Sequence, residues 1–163
     1  MPYLRRHLRT AHRVVRAPLQ DLSLALVGDR CMADLHERFM GIPGPTDVLT
    51  FPLDHDQAGN VVAGEVVVCV PEARRQAKAR GIPVERELLL YALHGMLHLC
   101  GYDDRTDASF RTMHRTEDRI LAQLGVGPVF NAAPPSPAPR KSAGKRHPRR
   151  PASRARRNAT GAH

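Results

Sequence analysis

The chain has no tryptophan, and aromatic residues make up only 4% of its 163 positions. Its three cysteines, Cys31, Cys69 and Cys100, are odd in number and lack paired zinc spacing. That excludes a disulfide framework and a cysteine-built zinc ribbon, and reduced cytosolic thiols are expected. No apolar run reaches the roughly 20 residues of a membrane-crossing helix, so no membrane segment is expected. Acidic residues are missing from 132–163, where nine Lys or Arg occur, whereas the first 131 residues carry sixteen charges of each sign. The net charge of +9 therefore belongs to the last 32 positions alone. That stretch opens Ala132-Ala133-Pro134-Pro135-Ser136-Pro137-Ala138-Pro139 and holds no large apolar residue. It cannot offset its own ordering entropy, so a disordered basic, proline-rich tail at 132–163 is expected behind one domain at 1–131. Such a tail favours anionic polymers, RNA among them, through counterion release.

What is present is a 42% hydrophobic chain whose patterning alternates between strand and helix. Residues 3–17 read as an amphipathic helix, with Leu4, Leu8, Ala11 and Val15 on one stripe and Arg5, Arg6, Arg9, Arg13 and Arg16 around it. This arginine face suits phosphate, although a solvated helix face or a transit peptide shows the same pattern. Leu22–Val27 reads as a strand, and Asp29 is placed to cap a helix ending near Met40. Val48–Phe51 and Glu65–Val70 read as strands, separated by the polar stretch 54–60. Pro71 opens a helix to about Arg80, Gly81-Ile82-Pro83 breaks it, and further helices are expected over Val84–Cys100 and Thr106–Leu124. The alternation argues an α/β fold: a single domain with a small mixed sheet, packed with helices around one buried helix.

That buried helix carries the chemistry. In His94-Gly95-Met96-Leu97-His98-Leu99-Cys100-Gly101-Tyr102-Asp103-Asp104, two imidazoles one turn apart share a helix face. Gly101 can take the left-handed conformation that turns the chain back, bringing Asp104 or Asp103 onto the same ion. Three protein ligands leave a fourth position open, as in catalytic zinc sites. A buried histidine is commonly a hydrogen-bonded core residue, but burying two histidines and two carboxylates without a shared partner is costly. His94, His98 and Asp104 are therefore the expected metal ligands and catalytic residues, with Asp103, His114 or water as alternatives for the third position. Cys100 turns about 100° per residue away from His98 on the helix and is not expected to ligate.

This run resembles the signature H-G-x-L-H-L-x-G-Y-D-H of the YbeY family of bacterial rRNA-maturation endoribonucleases, with Asp104 in place of the last histidine. Pro45-Thr46-Asp47-Val48-Leu49-Thr50-Phe51-Pro52 is similar to the family's P-T-D-V-L-S-F-P, and Gly64-Glu65-Val66-Val67-Val68 to its G-D-I-V-I strand. Met113 matches a methionine that follows the family's site. Within Leu35-His36-Glu37-Arg38-Phe39-Met40, similar to L-N-x-x-[YF]-R, Met40 replaces an arginine thought to contact RNA phosphate. The family usually opens with a strand and this chain with a helix, so an edge of the sheet is expected to be missing.

The resemblance implies a zinc-dependent, single-strand-specific endoribonuclease with one Zn(2+) per chain. Its implied substrate is rRNA near the 3' end of 16S rRNA, and its implied setting is ribosome biogenesis in the cytoplasm. The implied partners are rRNA and the small ribosomal subunit, with an assembly GTPase as a further one. Arg38, Arg105, Arg5, Arg9 and Arg13 are the candidate RNA contacts. A non-catalytic RNA-binding assembly factor of the same fold is the main alternative. A metalloprotease is the third reading, and it lacks the glutamate of HExxH, whose position is Gly95.

Overall fold

The computed structural model describes residues 1–127, and the tail expected at 132–163 lies outside them. The chain runs α1 (Pro2–Val15), β1 (Asp21–Val27), α2 (Asp29–Met40), β2 (Val48–His55), β3 (Val61–Cys69), α3 (Val70–Arg80), α4 (Val84–Leu99) and α5 (Asp107–Gln123). Three strands form one mixed sheet in the order β1-β3-β2. β1 lies parallel to β3 and β2 antiparallel to it, so Val66 sits between Leu24 and Thr50.

Period-2 alternation assigns the two faces of this sheet. Val66 and Val68 pack with α4, α1 and α5 in the larger core, whereas Val67 and Cys69 pack with Met32 of α2 in a smaller one. α4 is apolar on nearly every side, with eleven of its sixteen residues buried. A helix packed all round cannot roll, which fixes the direction of any polar side chain it carries.

Two glycines set how closely α4 approaches the sheet. A Cβ at Gly95 would lie 2.7 Å from Val66 Cγ1 and 3.0 Å from Thr50 Cγ2. A Cβ at Gly64 would lie 2.7 Å from Leu99 Cδ1. Both distances are far inside van der Waals contact, so helix and sheet meet through the space that side chains would fill.

Several boundaries differ from the pattern reading. β2 runs on into the polar stretch to His55 and β3 starts directly behind it at Val61, and only a tight turn remains, closed by Asp56 N–H donating to Asn60 O and Gly59 N–H to Asp56 O. Asp29 does not cap α2, because Gly28 occupies that position without a side-chain bond. Asp29 instead takes a bidentate pair from Arg75 at 2.8 and 2.9 Å, which holds its pKa down near 2. α5 begins as expected, with Thr106 and Ser109 forming a reciprocal capping box. Among the described residues β1 is an edge strand, flanked by β3 alone.

The cysteines provide a test of the packing. Cys31 is exposed, Cys69 is fully buried, and burial pushes the Cys100 thiol up to about 11. At pH 8 an alkylating reagent is expected to modify Cys31 rapidly and the other two only on unfolding. Rapid modification of Cys100 in the native protein, read by peptide mass mapping, would contradict this arrangement.

Candidate metal centre

α4 ends at Leu99, and Gly101, at φ +89°, reverses the chain. Its N–H donates to His98 O at 3.0 Å, and Tyr102 N–H donates to Leu97 O at 3.0 Å. This closure satisfies carbonyls that the helix end leaves open. It also returns Asp104 over the face carrying His94 and His98. The Asp104 carboxylate lies 3.6 Å from His94 Nε2 and 3.8 Å from His98 Nε2, and the two Nε2 atoms are 3.0 Å apart. Among the described residues these three are the group able to share an ion.

The outer nitrogens decide the protonation of the inner ones. His98 Nδ1 lies 3.1 Å from the Tyr102 carbonyl oxygen, which can only accept, so this nitrogen carries the hydrogen. His94 Nδ1 lies 2.7 Å from Glu117 Oε1 and donates to the carboxylate. With those hydrogens turned outward, each ring, in the neutral form that can ligate, presents an Nε2 lone pair inward. Two lone pairs 3.0 Å apart, facing a carboxylate, repel unless a cation sits among them. Two ligands bound at about 2.05 Å in tetrahedral geometry are about 3.3 Å apart, close to what these side chains already have. The donor set therefore fits a divalent ion.

Glu117 is fully buried and was not among the residues singled out by motif. Its second oxygen accepts from His114 Nδ1 at 2.6 Å, so one carboxylate positions two imidazoles. This is the outer partner that fixes tautomer and ring orientation in histidine metal sites. The sequence does hold a signal for it. Met113, Glu117, Ile120 and Leu121 form one buried stripe of α5, and an acid on such a stripe needs a partner. At His94 burial is the largest influence and lowers the pKa, but Glu117, Asp104 and Asp47 together outweigh it and raise it.

Asp47 belongs to the Pro-Thr-Asp run that opens β2. Its Oδ1 accepts from the Thr46 hydroxyl at 3.0 Å and from Val48 N–H at 2.9 Å, fixing the start of the strand with a negative charge toward α4. Asp103 is not turned to the imidazoles. It accepts from the backbone N–H of Asp104 and from Arg105 Nε, so it caps the turn. His114 is occupied on Glu117 and stacks at 6.3 Å beside His94.

The arginines named from sequence are dispersed. Arg105, whose side chain is 85% exposed, stands at the rim of the site on Asp103. Arg5, Arg9 and Arg13 line a groove of about 650 Å³ between α1 and the edge strand β1, and none of the three candidate ligands lines it. Arg38 sits near the end of α2, across the sheet from α4.

The family model described as Endoribonuclease YbeY matches residues 4–125. A protein named Endoribonuclease YbeY from Frankia alni is 44% identical over 115 residues, covering 64% of this chain and 64% of that one. Its namesake from Thermobifida fusca is 41% identical over 126 residues, covering 73% and 80% respectively. The one from Mycobacterium tuberculosis is 38% identical over 115 residues, covering 65% of each. The chain thus spans less than two thirds of the length of some of these relatives. A solution structure of a Thermotoga maritima protein superposes with a TM-score of 0.54 at 27% identity, covering 76% of this chain and 85% of that one. A match over most of the folded region, reaching from α1 past the paired imidazoles to the end of α5, shows that the chain belongs to the Endoribonuclease YbeY family.

Proposed function

We propose that this protein is a metal-dependent endoribonuclease that cuts single-stranded RNA, acting in rRNA maturation at the 3' end of 16S rRNA and so in ribosome biogenesis. The observation that carries the reading is the convergence of His94 Nε2, His98 Nε2 and the Asp104 carboxylate within 3.8 Å of one another, with the Asp104 side chain 34% exposed on the open side. A divalent ion held there, zinc at one per chain, supplies the Lewis acidity that activates water and polarises a phosphoryl oxygen. The protein's own part is orientation. Glu117 and the Tyr102 carbonyl hold the two rings, and Asp104 adds the third ligand, a carboxylate oxygen. Arg105 stands at the rim, within the same turn, to meet phosphate. The basic run at 132–163 supports rRNA and the small ribosomal subunit as partners through sequence-independent attraction, and an assembly GTPase is the further partner proposed. No helix among the described residues is long and apolar enough to cross a membrane, in keeping with a cytoplasmic setting.

Peptidase chemistry has no place for its base. At Gly95, where HExxH carries glutamate, a Cβ would lie 2.7 Å from Val66 Cγ1, so a side chain there would face the sheet rather than the ligands. Metal analysis of the purified protein is expected to find about one equivalent of zinc. Cleavage of a single-stranded RNA should require that metal and stop with chelator, and a casein substrate should stay intact. Metal-loaded protein that binds rRNA but leaves it uncut would favour the non-catalytic assembly factor instead.

Asp104 gives a second test. A carboxylate leaves less positive charge at the site than a neutral imidazole would, so Asp104→His is expected to retain metal and raise the cleavage rate several-fold. A variant with full metal content and no faster cleavage would refute the ligand-charge argument.

A further inference from the structure

The exposed apolar side chains of this protein are unevenly spread. Of seven large ones among the described residues, Phe39, Met40, Ile42 and Leu53 lie around the end of α2 and along β2, with exposures of 51 to 63%. Phe39 is 55% exposed, and its ring meets that of Phe51 edge to face, with centroids 4.9 Å apart. The Arg38 guanidinium lies 5.6 Å over the Phe39 ring. Single scattered apolar residues need no explanation, but an exposed ring backed by a partly buried second one, with a guanidinium above it, is a combination to which unpaired nucleobases bind, by ring stacking and by cation–π contact.

The location ties this surface to the metal centre. β2 is an edge strand, and its alternating side chains point to opposite faces. Thr50 is turned to Gly95, next in the chain to His94, while Phe51 packs on the α2 side. The aromatic pair and the ligands therefore lie on the two sides of one sheet edge. A single strand of RNA passing round that edge would place bases on Phe39 while its backbone reaches Asp104 and Arg105. Duplex RNA keeps its bases stacked inside and offers nothing to such a platform.

We infer that Phe39, Phe51 and Arg38 form a base-stacking platform that holds the single-stranded RNA flanking the bond to be cut. The inference rests on the RNA-cleaving reading above and adds the residues that select single strands.

The test uses the full chain with metal present. Anisotropy of a labelled single-stranded RNA of about a dozen nucleotides should show Phe39→Ala binding about tenfold more weakly, and Phe39→Tyr within about twofold of the unaltered protein. Because stacking is uncharged, the Phe39→Ala loss should persist at high salt with an unchanged salt slope. Arg38→Ala should flatten that slope by about 0.7. Abasic substitution in the RNA should weaken the unaltered protein to the level of Phe39→Ala and leave Phe39→Ala itself unaffected. In cleavage, KM should rise with kcat preserved. Equal RNA affinity for Phe39→Ala and the unaltered protein overturns the platform, as does a change confined to self-association in sedimentation, which would make the patch a protein contact. Absence of RNA cleavage by the unaltered protein would defeat the enzymatic reading separately, since the binding comparison does not depend on it.

Discussion

Replacing Glu117 by glutamine is expected to weaken metal binding by about ten- to a hundredfold while leaving the fold intact. The substitution keeps the size of the side chain and one oxygen acceptor, but removes the charge that orients His94 and makes its inner nitrogen a stronger donor. Glu117 is fully buried and accepts from His94 Nδ1 and His114 Nδ1 through its two oxygens, and glutamine keeps only one of these acceptors, so one buried hydrogen bond is lost as well. Thermal stability without metal should therefore fall by about 1–3 kcal/mol, the cost of one unmade buried hydrogen bond, while metal affinity falls further. Titration against a competing chelator measures the affinity, and circular dichroism the fold. An affinity within twofold of the original would show that His94 is held by its packing alone.

The second large effect lies at Gly95. Installing the missing glutamate of HExxH by Gly95→Glu is expected to unfold the protein rather than convert it. The added Cβ would already stand 2.7 Å from Val66 and 3.0 Å from Thr50, whose side chains are the branched Cγ atoms of a packed sheet. Beyond it, a carboxylate would be forced into an interface that offers no partner. The sum exceeds about 4 kcal/mol, a large part of the 5–15 kcal/mol that holds a typical domain together. Gly95→Ala, which adds only the Cβ, should cost about 1–3 kcal/mol, partly offset by better helix propensity. Melting curves check both. A folded Gly95→Glu protein melting within a few degrees of the original would mean that α4 can back away from the sheet.

Much of this was legible in sequence because α4 carries its information locally. The i, i+4 imidazoles, the glycine stop and the following carboxylates lie within eleven residues, and helix geometry with the turn at Gly101 brings His94, His98 and Asp104 together. The helices were readable for the same reason, since apolar period and punctuation agree at Gly41, Gly81 and Gly101. Glu117 escaped because its partner is 23 positions away, on another helix, and nothing in spacing reports that distance. Asp29 looked like a cap because its type suits one, but Arg75, 46 positions on, competes for the same oxygens. The polar pattern around 54–60 overstates the turn, since exposed hairpin ends use backbone pairing that side-chain pattern does not register. Arg5, Arg9, Arg13 and Arg38 share a charge sign but not a surface. Composition counts them together, and only the fold separates the α1 groove from the far side of the sheet.

The shortness of the ligand-bearing segment has a thermodynamic consequence of its own. Closing loops of four and six residues costs an unfolded chain little entropy, so His94, His98 and Asp104 can still gather weakly round an ion when the sheet is gone. An ion that binds both states stabilises the native one only by the difference between its two affinities. Saturating metal should therefore raise the melting temperature by less than the native affinity alone would give. What the folded protein adds is mainly the second helix: Glu117, reached across 23 residues, is the part of the site that denaturation dismantles.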